Sequence, residues 1–433
     1  MKPQILIGAA SSGSGKTTFT LGLLRLLRER GLAVQPFKCG PDYIDTQYHS
    51  LAAGRDSVNL DTFMCGEEHL KEVYSRYGAG SDVNVVEGVM GLFDGYSRME
   101  GSSARIAQIL DVPVLLVINA KSCAYSVAPV IYGYKNFCKG VNIAGVVFNM
   151  VGSESHYNIL KDACADLDVP VLGYIPKNND IEIPSRHLGL SLDGEYLFDE
   201  FAGKVARVIE EHVDVERLLE IFTVPMHEEA EADEPAGNLL IAVAKDAAFN
   251  FIYRENLRSL GKLGRVKFFS PMEDEMLPEC DLLYLPGGYP ELFLEALENN
   301  ERMRNDIAEY IESGGKAIAE CGGMMYLCSS ITDEHGNEYR MCGVLPQKAT
   351  MEGKRLHIGY RRFEYAGNEL SGHEFHYSKV VCEDNPEEGI LRSAAKLYNA
   401  QGMEVPTPLY RYKNLIAGYT HLYWGNSNII DLF

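Results

Sequence analysis

The 433-residue sequence contains no uninterrupted apolar run long enough to cross a bilayer, which excludes a helical membrane span as its organising element. It has no basic amino-terminal stretch followed by an apolar core, so no secretory leader is expected, and Met1-Lys2-Pro3 leads straight into the first strand. Its ten cysteines form no CxxC pair and show no metal-like spacing. Reduced thiols in a cytoplasmic protein are the expectation, and a disulfide framework or zinc ribbon is not. Positive charge is in deficit: 40 Lys and Arg stand against 61 Asp and Glu, a net charge of −21. That balance argues against a nucleic-acid surface. It also means that any anionic substrate needs basic groups gathered locally. A composition of 46% hydrophobic and 23% charged residues is that of a soluble globular chain, and the length predicts two or three domains.

One stretch organises the first half. Ala10-Ser11-Ser12-Gly13-Ser14-Gly15-Lys16-Thr17 follows the apolar run Ile5–Ala9 and precedes Thr18-Phe19-Thr20-Leu21-Gly22-Leu23-Leu24, which has helical spacing. Strand, glycine-rich loop and helix form the setting of a phosphate-binding loop. Backbone N–H groups around Gly13, Ser14, Gly15 and Thr18 converge on phosphate oxygens, and the helix N-terminus adds partial positive charge. Lys16 reaches the β/γ-phosphates and the Thr17 hydroxyl can sit on Mg²⁺. Ala10 replaces the first glycine of the usual pattern.

Strand and helix patterns then alternate, predicting a parallel sheet covered by helices, with strands over 34–38, 83–86, 113–118, 143–148 and 171–176. Ligands bind beyond the carboxyl ends of such strands. Asp42, Asp45, Glu87 and Asp94 all fall there. Carboxylates beside a nucleotide repel its phosphates unless a cation intervenes, which points to Mg²⁺ shared by Thr17, Asp45 and Glu87, with Asp94 nearer a substrate. Asn149, just beyond another strand, could offer its amide to adenine or simply make a turn. A helical pattern from Phe198 to Phe222 ends the domain, and the acidic stretch Thr223–Gly237 reads as a linker.

The second half starts a new α/β alternation with Leu239–Ala244, then Asp281–Leu285 followed by Pro286-Gly287-Gly288-Tyr289-Pro290-Glu291. Lys316–Glu320 runs into Cys321-Gly322-Gly323 and a helical Met324–Leu327. A cysteine between a buried strand and a helix, followed by glycines, has the form of a nucleophile elbow. The helix N-terminus should lower its pKa, and the Gly322 N–H, with a second donor from the Gly287-Gly288 turn, can hold an oxyanion. His421 is the leading candidate for the base, with His373 and His376 as rivals that spacing alone does not separate.

Cys-Gly-Gly after a strand, the Pro-Gly-Gly-Tyr-Pro-Glu turn and a late histidine resemble a class I glutamine amidotransferase domain, and the first half resembles the dethiobiotin-synthetase-like P-loop enzymes. Joined in this order, they resemble the cobyrinic and cobyric acid amidotransferases. Phe37–Asp45, Val86–Gly95, Ser185–Leu190 and Gly372–Ser378 narrow the likeness to the a,c-diamide synthase family, end to end. The resemblance implies two α/β domains: an ATP- and Mg²⁺-binding synthetase over 1–222 and a glutamine amidotransferase over 238–433, with the acidic linker 223–237 between. It implies glutamine hydrolysis at Cys321 with His421, and amidation of the a and c acetates of cobyrinate through acyl phosphates formed near Lys16, Asp45, Glu87 and Asp94. Cobalt-free hydrogenobyrinate and nickel-sirohydrochlorin remain open as substrates, and a homodimer is allowed. One position departs from the class I pattern: Tyr423 stands where many such domains carry a glutamate two residues after the histidine.

The chemistry fits on its own terms. A carboxylate is a poor acyl donor, whereas an acyl phosphate has a leaving group that ammonia can expel. Free ammonia is scarce at neutral pH, which explains an attached glutaminase. Arg105, Lys121, Arg186, His187 and the cluster Arg355–Arg362 are candidates for holding a polycarboxylate macrocycle. From a different class, the first half alone could be a P-loop nucleotide switch, which would not need Cys321 or His421.

Overall fold

A computed structural model describes residues 1–178, 181, 192–226, 237–381 and 392–433, with residues 192–196 described by backbone alone. The expected motif Ser185–Leu190, with Arg186 and His187, lies outside the described residues, as does most of the acidic stretch. The described residues fall into two compact units that divide near residue 231.

The first unit alternates strand and helix: β1 (Lys2–Ala9), α1 (Lys16–Glu29), β2 (Val34–Cys39), α2 (Ile44–Ala53), β3 (Val58–Leu60), α3 (Thr62–Gly78), β4 (Val83–Glu87), α4 (Ser103–Leu110), β5 (Val114–Asn119), α5 (Val127–Phe137), β6 (Ile143–Val151), α6 (Glu154–Ala163) and β7 (Val171–Pro176). The strand order is β3-β2-β4-β1-β5-β6-β7, and every one of these pairings is parallel. Near-continuous apolar strands such as Val114–Ile118 are buried on both faces, which is why they carry no alternation. Leu23, Leu24 and Leu27 of α1 pack with Val205 and Ile209 in one core cluster. Burying each such side chain is worth about 1.5–3 kcal/mol.

The expected helix over 198–222 is two helices, α7 (Leu192–His212) and α8 (Val215–Ile221). Asp214 breaks them, because its carboxylate accepts from Arg217 N and caps the second helix. Thr223–Val224, expected in the linker, instead form β8, antiparallel to the start of β1.

The second unit is built on the sheet β10-β9-β11-β12-β22-β21, parallel except for its last pairing. It comprises β9 (Leu239–Ala244), α9 (Arg254–Leu263), β10 (Gly264–Phe269), β11 (Leu282–Leu285), α10 (Leu294–Asn299), α11 (Glu301–Glu312), β12 (Lys316–Glu320) and α12 (Gly322–Leu327). Further strands follow: β13 (Cys328–Thr332), β14 (Glu338–Arg340), β15 (Leu345–Thr350), β16 (His357–Tyr365), β17 (Asn368–His376), β18 (Lys379–Val381), β19 (Leu397–Tyr398) and β20 (Glu404–Val405). β21 (Leu409–Tyr412), β22 (Leu415–Gly418) and β23 (His421–Tyr423) end the chain's strands. β23 leaves the main sheet and joins β20-β19-β16-β17-β23. Through this switch, the last strand's first residue, His421, meets the carboxyl end of the parallel sheet.

Candidate active sites

In the first unit the chain leaves β1 and wraps the loop 10–15 before α1. Gly13 and Gly15 have φ of 75° and 98°, a left-handed conformation that side chains disfavour, so two backbone turns fit in a few residues. Ser14 Oγ donates to Ser11 O at 2.9 Å, and Asn149 Nδ2 donates to Ser14 O at 3.0 Å. The Asn149 amide therefore braces the loop from β6, and a Cβ on Gly15 would lie 2.0 Å from its Nδ2. Lys16 Nζ donates to Met90 O at 2.6 Å and to Ser11 O at 3.3 Å, and its burial lowers the pKa. A cavity of about 520 Å³ opens over this loop, and Gly13, Gly15, Lys16, Thr17, Thr18, Asp45, Glu87 and Asn149 all line it.

The acidic groups are brought to the same floor. Thr17 Oγ1 donates to Glu87 Oε1 at 2.7 Å. Lys38 Nζ, fully buried, donates to Asp45 Oδ2 at 2.7 Å and to Glu87 Oε1 at 2.9 Å. His49 Nε2 lies 2.7 Å from Glu87 Oε2. Burial alone would raise the Glu87 carboxyl, but Lys38 and His49 outweigh it and hold it well below the usual carboxylate range. Burial has the upper hand at Asp45, whose carboxyl is raised despite Lys38. Asp42 serves a different purpose: its Oδ1 accepts from Ile44 N and Asp45 N, capping α2. Asp94 is exposed, with Oδ2 accepting from Gly91 N at 3.0 Å.

Neither Lys38 nor His49 was singled out by sequence reasoning. Lys38 had a signal, a charged residue at the end of an otherwise buried strand; His49 had one too, four residues after Asp45 on the same helix face.

In the second unit Cys321 turns the chain from β12 into α12 with φ 46° and ψ −106°. A non-glycine residue held there stores roughly 1–3 kcal/mol of strain, as nucleophile elbows do. Its Sγ lies 4.0 Å from Phe375 O. A Cβ on Gly322 would come 3.1 Å from Gly288 N, so the two expected oxyanion donors stand side by side. His421 lies over Gly287, where an added Cβ would meet the ring Cε1 at 2.0 Å. Cys321, Gly322, Gly288 and His421 are thus collected at one place. His373, a rival for the base, is the cross-strand partner of His421. His376 is instead held in a stack, 3.7 Å from the Tyr419 ring and 5.0 Å from His357, with Nδ1 on Ser378 O at 2.9 Å.

Electrostatics here differ from expectation. The Cys321 thiol is pushed well above its usual range, by burial first and then by Glu291; the six-residue α12 does not overcome this. Burial, with His373 and His376 nearby, lowers His421 to about 3, so the resting imidazole is neutral. Two of the expected substrate cations are engaged elsewhere. Arg105 pairs with Glu67 at 2.5 Å, and Arg361 is buried against Glu374 at 2.6 Å. Lys121 and Arg355 are exposed.

A nucleotide-binding loop in one unit and a cysteine elbow with a neutral histidine in the other define a glutamine amidotransferase coupled to a P-loop domain. Models of known families match both: the CobQ/CobB/MinD/ParA nucleotide binding domain over residues 5–190 and the CobB/CobQ-like glutamine amidotransferase domain over residues 240–429. The chain belongs to the cobyrinate and hydrogenobyrinate a,c-diamide synthase family. It is 41% identical over 434 residues to the cobyrinate a,c-diamide synthase of Caldanaerobacter subterraneus subsp. tengcongensis, covering 96% of this chain and 94% of that one. It is 37% identical to the cobyrinate enzyme of Priestia megaterium, over 98% of this chain and 94% of that one. It is 41% identical to the hydrogenobyrinate a,c-diamide synthase of Brucella ovis, over 88% and 90% of the two chains. Among the described residues, no helix is long and apolar enough to cross a membrane.

Proposed function

We propose that this protein is a cobyrinate a,c-diamide synthase, using ATP and glutamine to convert the a and c acetates of the corrin to amides. One observation carries the reading beyond the family likeness: Cys321 stands strained at an elbow beside Gly288 and Gly322, with the neutral His421 seated on Gly287. This is the arrangement that amide hydrolysis through a thioester requires.

In this reading residues 238–433 hydrolyse glutamine. His421 takes the Cys321 proton as sulfur attacks the side-chain amide carbon, and the N–H groups of Gly322 and Gly288 receive the oxyanion. The proton returns to the departing nitrogen, which leaves as ammonia, and water then cleaves the thioester. Residues 1–222 activate the acceptor. Lys16 and the loop N–H groups hold the ATP phosphates, Asn149 keeps the loop in shape, and Asp94 faces the acceptor side. The substrate carboxylate attacks the γ-phosphorus, ADP leaves, and ammonia displaces phosphate from the acyl phosphate.

The donor set on the cavity floor fits Mg²⁺: a hydroxyl from Thr17 and carboxylates from Asp45 and Glu87 are all hard oxygen ligands, suited to a cation completed by phosphate and water. When bound there, Mg²⁺ would neutralise charge on the transferring phosphoryl group.

The test is mass spectrometry of cobyrinic acid incubated with the protein, ATP, Mg²⁺ and glutamine. Two successive losses of about one mass unit, each an OH replaced by NH₂ with ADP formed in proportion, are expected. Hydrogenobyrinate and nickel-sirohydrochlorin run in parallel identify the preferred ring. ATP hydrolysis with no mass change on any ring would overturn the substrate assignment.

A further inference from the structure

The reaction proposed above leaves open where a flat macrocycle with a rim of carboxylates lies. Its reacting carboxylate must come within about 3.5 Å of the γ-phosphoryl group, so the ring must sit at the edge of the phosphate loop. On one side of that loop lie Asp42, Asp45 and Glu87, which repel a polyanion. The other side is different. From Val112 to Ser153 the chain has no aspartate or glutamate, yet it has Lys121 and Lys139, in a protein of net charge −21; its third lysine, Lys135, is engaged with Asp168 at 3.3 Å.

This acid-free stretch includes α5, whose apolar side chains form a stripe with exposed ends and a half-buried Tyr134 between them. Val130, Tyr134 and Phe137 follow at i, i+4 and i+7, one helix face about 10 Å long. Val130 is 42% and Phe137 71% exposed. Phe93 leans against the stripe, its ring centroid 5.5 Å from Tyr134 and 4.9 Å from Phe137. Two hydrogen bonds join this surface to the phosphate loop: Tyr134 OH donates to Ala10 O at 3.3 Å, and Met90 O accepts from Lys16. Asp94 follows Phe93 directly. Gly133 lies within the stripe's span, and a Cβ there would meet nothing within 4 Å, so nothing stands up to prevent a planar body from lying close.

We propose that Phe93, Val130, Tyr134 and Phe137 form a shelf that seats the face of the corrin, holding its carboxylate rim toward Lys16. This rests on the synthase reading and adds the ring's binding surface to it. A second copy of the chain is the rival occupant, but a stable dimer buries about 800 Å² and 20–30 residues on each side, far more than this stripe.

The test is equilibrium dialysis of coloured cobyrinic acid against the full-length protein, with Phe137→Ala and Gly133→Leu beside it and nucleotide binding as the control. The shelf predicts that both variants weaken corrin binding by roughly tenfold, about 1.4 kcal/mol, while nucleotide binding is unchanged. Gly133→Leu is the sharper arm, because it adds apolar surface yet lifts a flat ring away; an unspecific greasy contact would strengthen. Corrin binding within about twofold of wild type in both variants overturns the shelf and leaves the synthase reading standing. A wild-type protein that binds and amidates no corrin overturns both. Sedimentation covers the rival: a wild-type dimer that Val130→Asp turns into a monomer assigns the surface to self-association and removes it from the corrin.

Discussion

Glu320 Oε1 accepts a hydrogen bond from the backbone N–H of Leu422 at 3.1 Å. The residue before the cysteine thereby fixes the residue after the histidine, across more than a hundred positions of sequence. The other carboxyl oxygen accepts from Tyr284 OH at 2.8 Å, and Asn256 Nδ2 donates to Leu422 O at 2.7 Å from the far side. With Tyr423 in place of the usual glutamate, these contacts hold β23, and so His421, from its backbone. Glu320→Gln preserves an acceptor for Leu422 N and should keep glutaminase activity within roughly threefold, whereas Glu320→Ala should lower kcat about 100-fold, the cost of a displacement near 1 Å. Ammonia-dependent synthesis should survive both.

The same carboxyl predicts a pH effect on stability. Burial pushes Glu320 up to about 8 in the folded protein, from an ordinary 4.5. Between those values the native state keeps a proton that the unfolded chain has released, so this group's contribution is intact below the lower value and is lost as pH rises through the upper one. Glu320→Gln does not titrate. Its Tm relative to wild type should therefore climb between about pH 5 and pH 8 and level off above, measured by thermal melts; a constant difference across that range would mean that Glu320 is ionised in the fold.

Lys38 should be the most costly single position in the first unit. It is buried between Asp45 and Glu87, and Lys38→Ala leaves two buried carboxylates facing one another. A loss of about 3–5 kcal/mol in urea unfolding is expected. Adding Glu87→Gln to Lys38→Ala removes one of the stranded charges and should recover part of that loss. Strict additivity of the two single changes would show that they do not interact.

The parallel strands and the phosphate loop were legible because buried parallel strands are continuous apolar runs and the loop has a fixed position between strand and helix. The cysteine elbow was legible for the same reason. The region after Leu327 was not. Strands such as Glu338–Arg340 and Glu404–Val405 are two or three residues long with exposed faces, so neither period nor composition marks them. Nor could spacing choose among His373, His376 and His421, since only the pairing of β17 with β23 shows which face each occupies. Lys38 and His49 escaped because a buried ion network needs partners from three elements, here β2, α2 and β4, and no local pattern records that meeting.

Burial keeps the Cys321 thiol protonated at rest, so its reactivity should depend on His421 and on glutamine. Alkylation by iodoacetamide should be slow in the free protein. Cys321→Ala should abolish synthesis from glutamine and retain synthesis from ammonium salts, with a rate that rises with pH as more of the ammonia is unprotonated. Loss of both activities would place Cys321 in the fold's support instead of in the glutaminase step.

Gly287 offers the cleanest separation of the two half-reactions. Its φ lies outside the left-handed region, so alanine strains no backbone dihedral there; the added methyl group instead meets the imidazole of His421, with Cε1 only 2.0 Å from the Cβ position. The ring is enclosed by Phe251, at a centroid distance of 5.9 Å, and by the buried strand β17, so it can yield only by turning out of line with Cys321. Gly287→Ala should therefore lower glutaminase kcat by about 100-fold or more while the KM for ATP and the ammonia-dependent rate stay at wild-type values. Steady-state kinetics with each nitrogen donor reads both quantities from one preparation. If glutamine and ammonia supported equal rates in the variant, His421 would not be the base, and His373, its partner across the strands, would take that place.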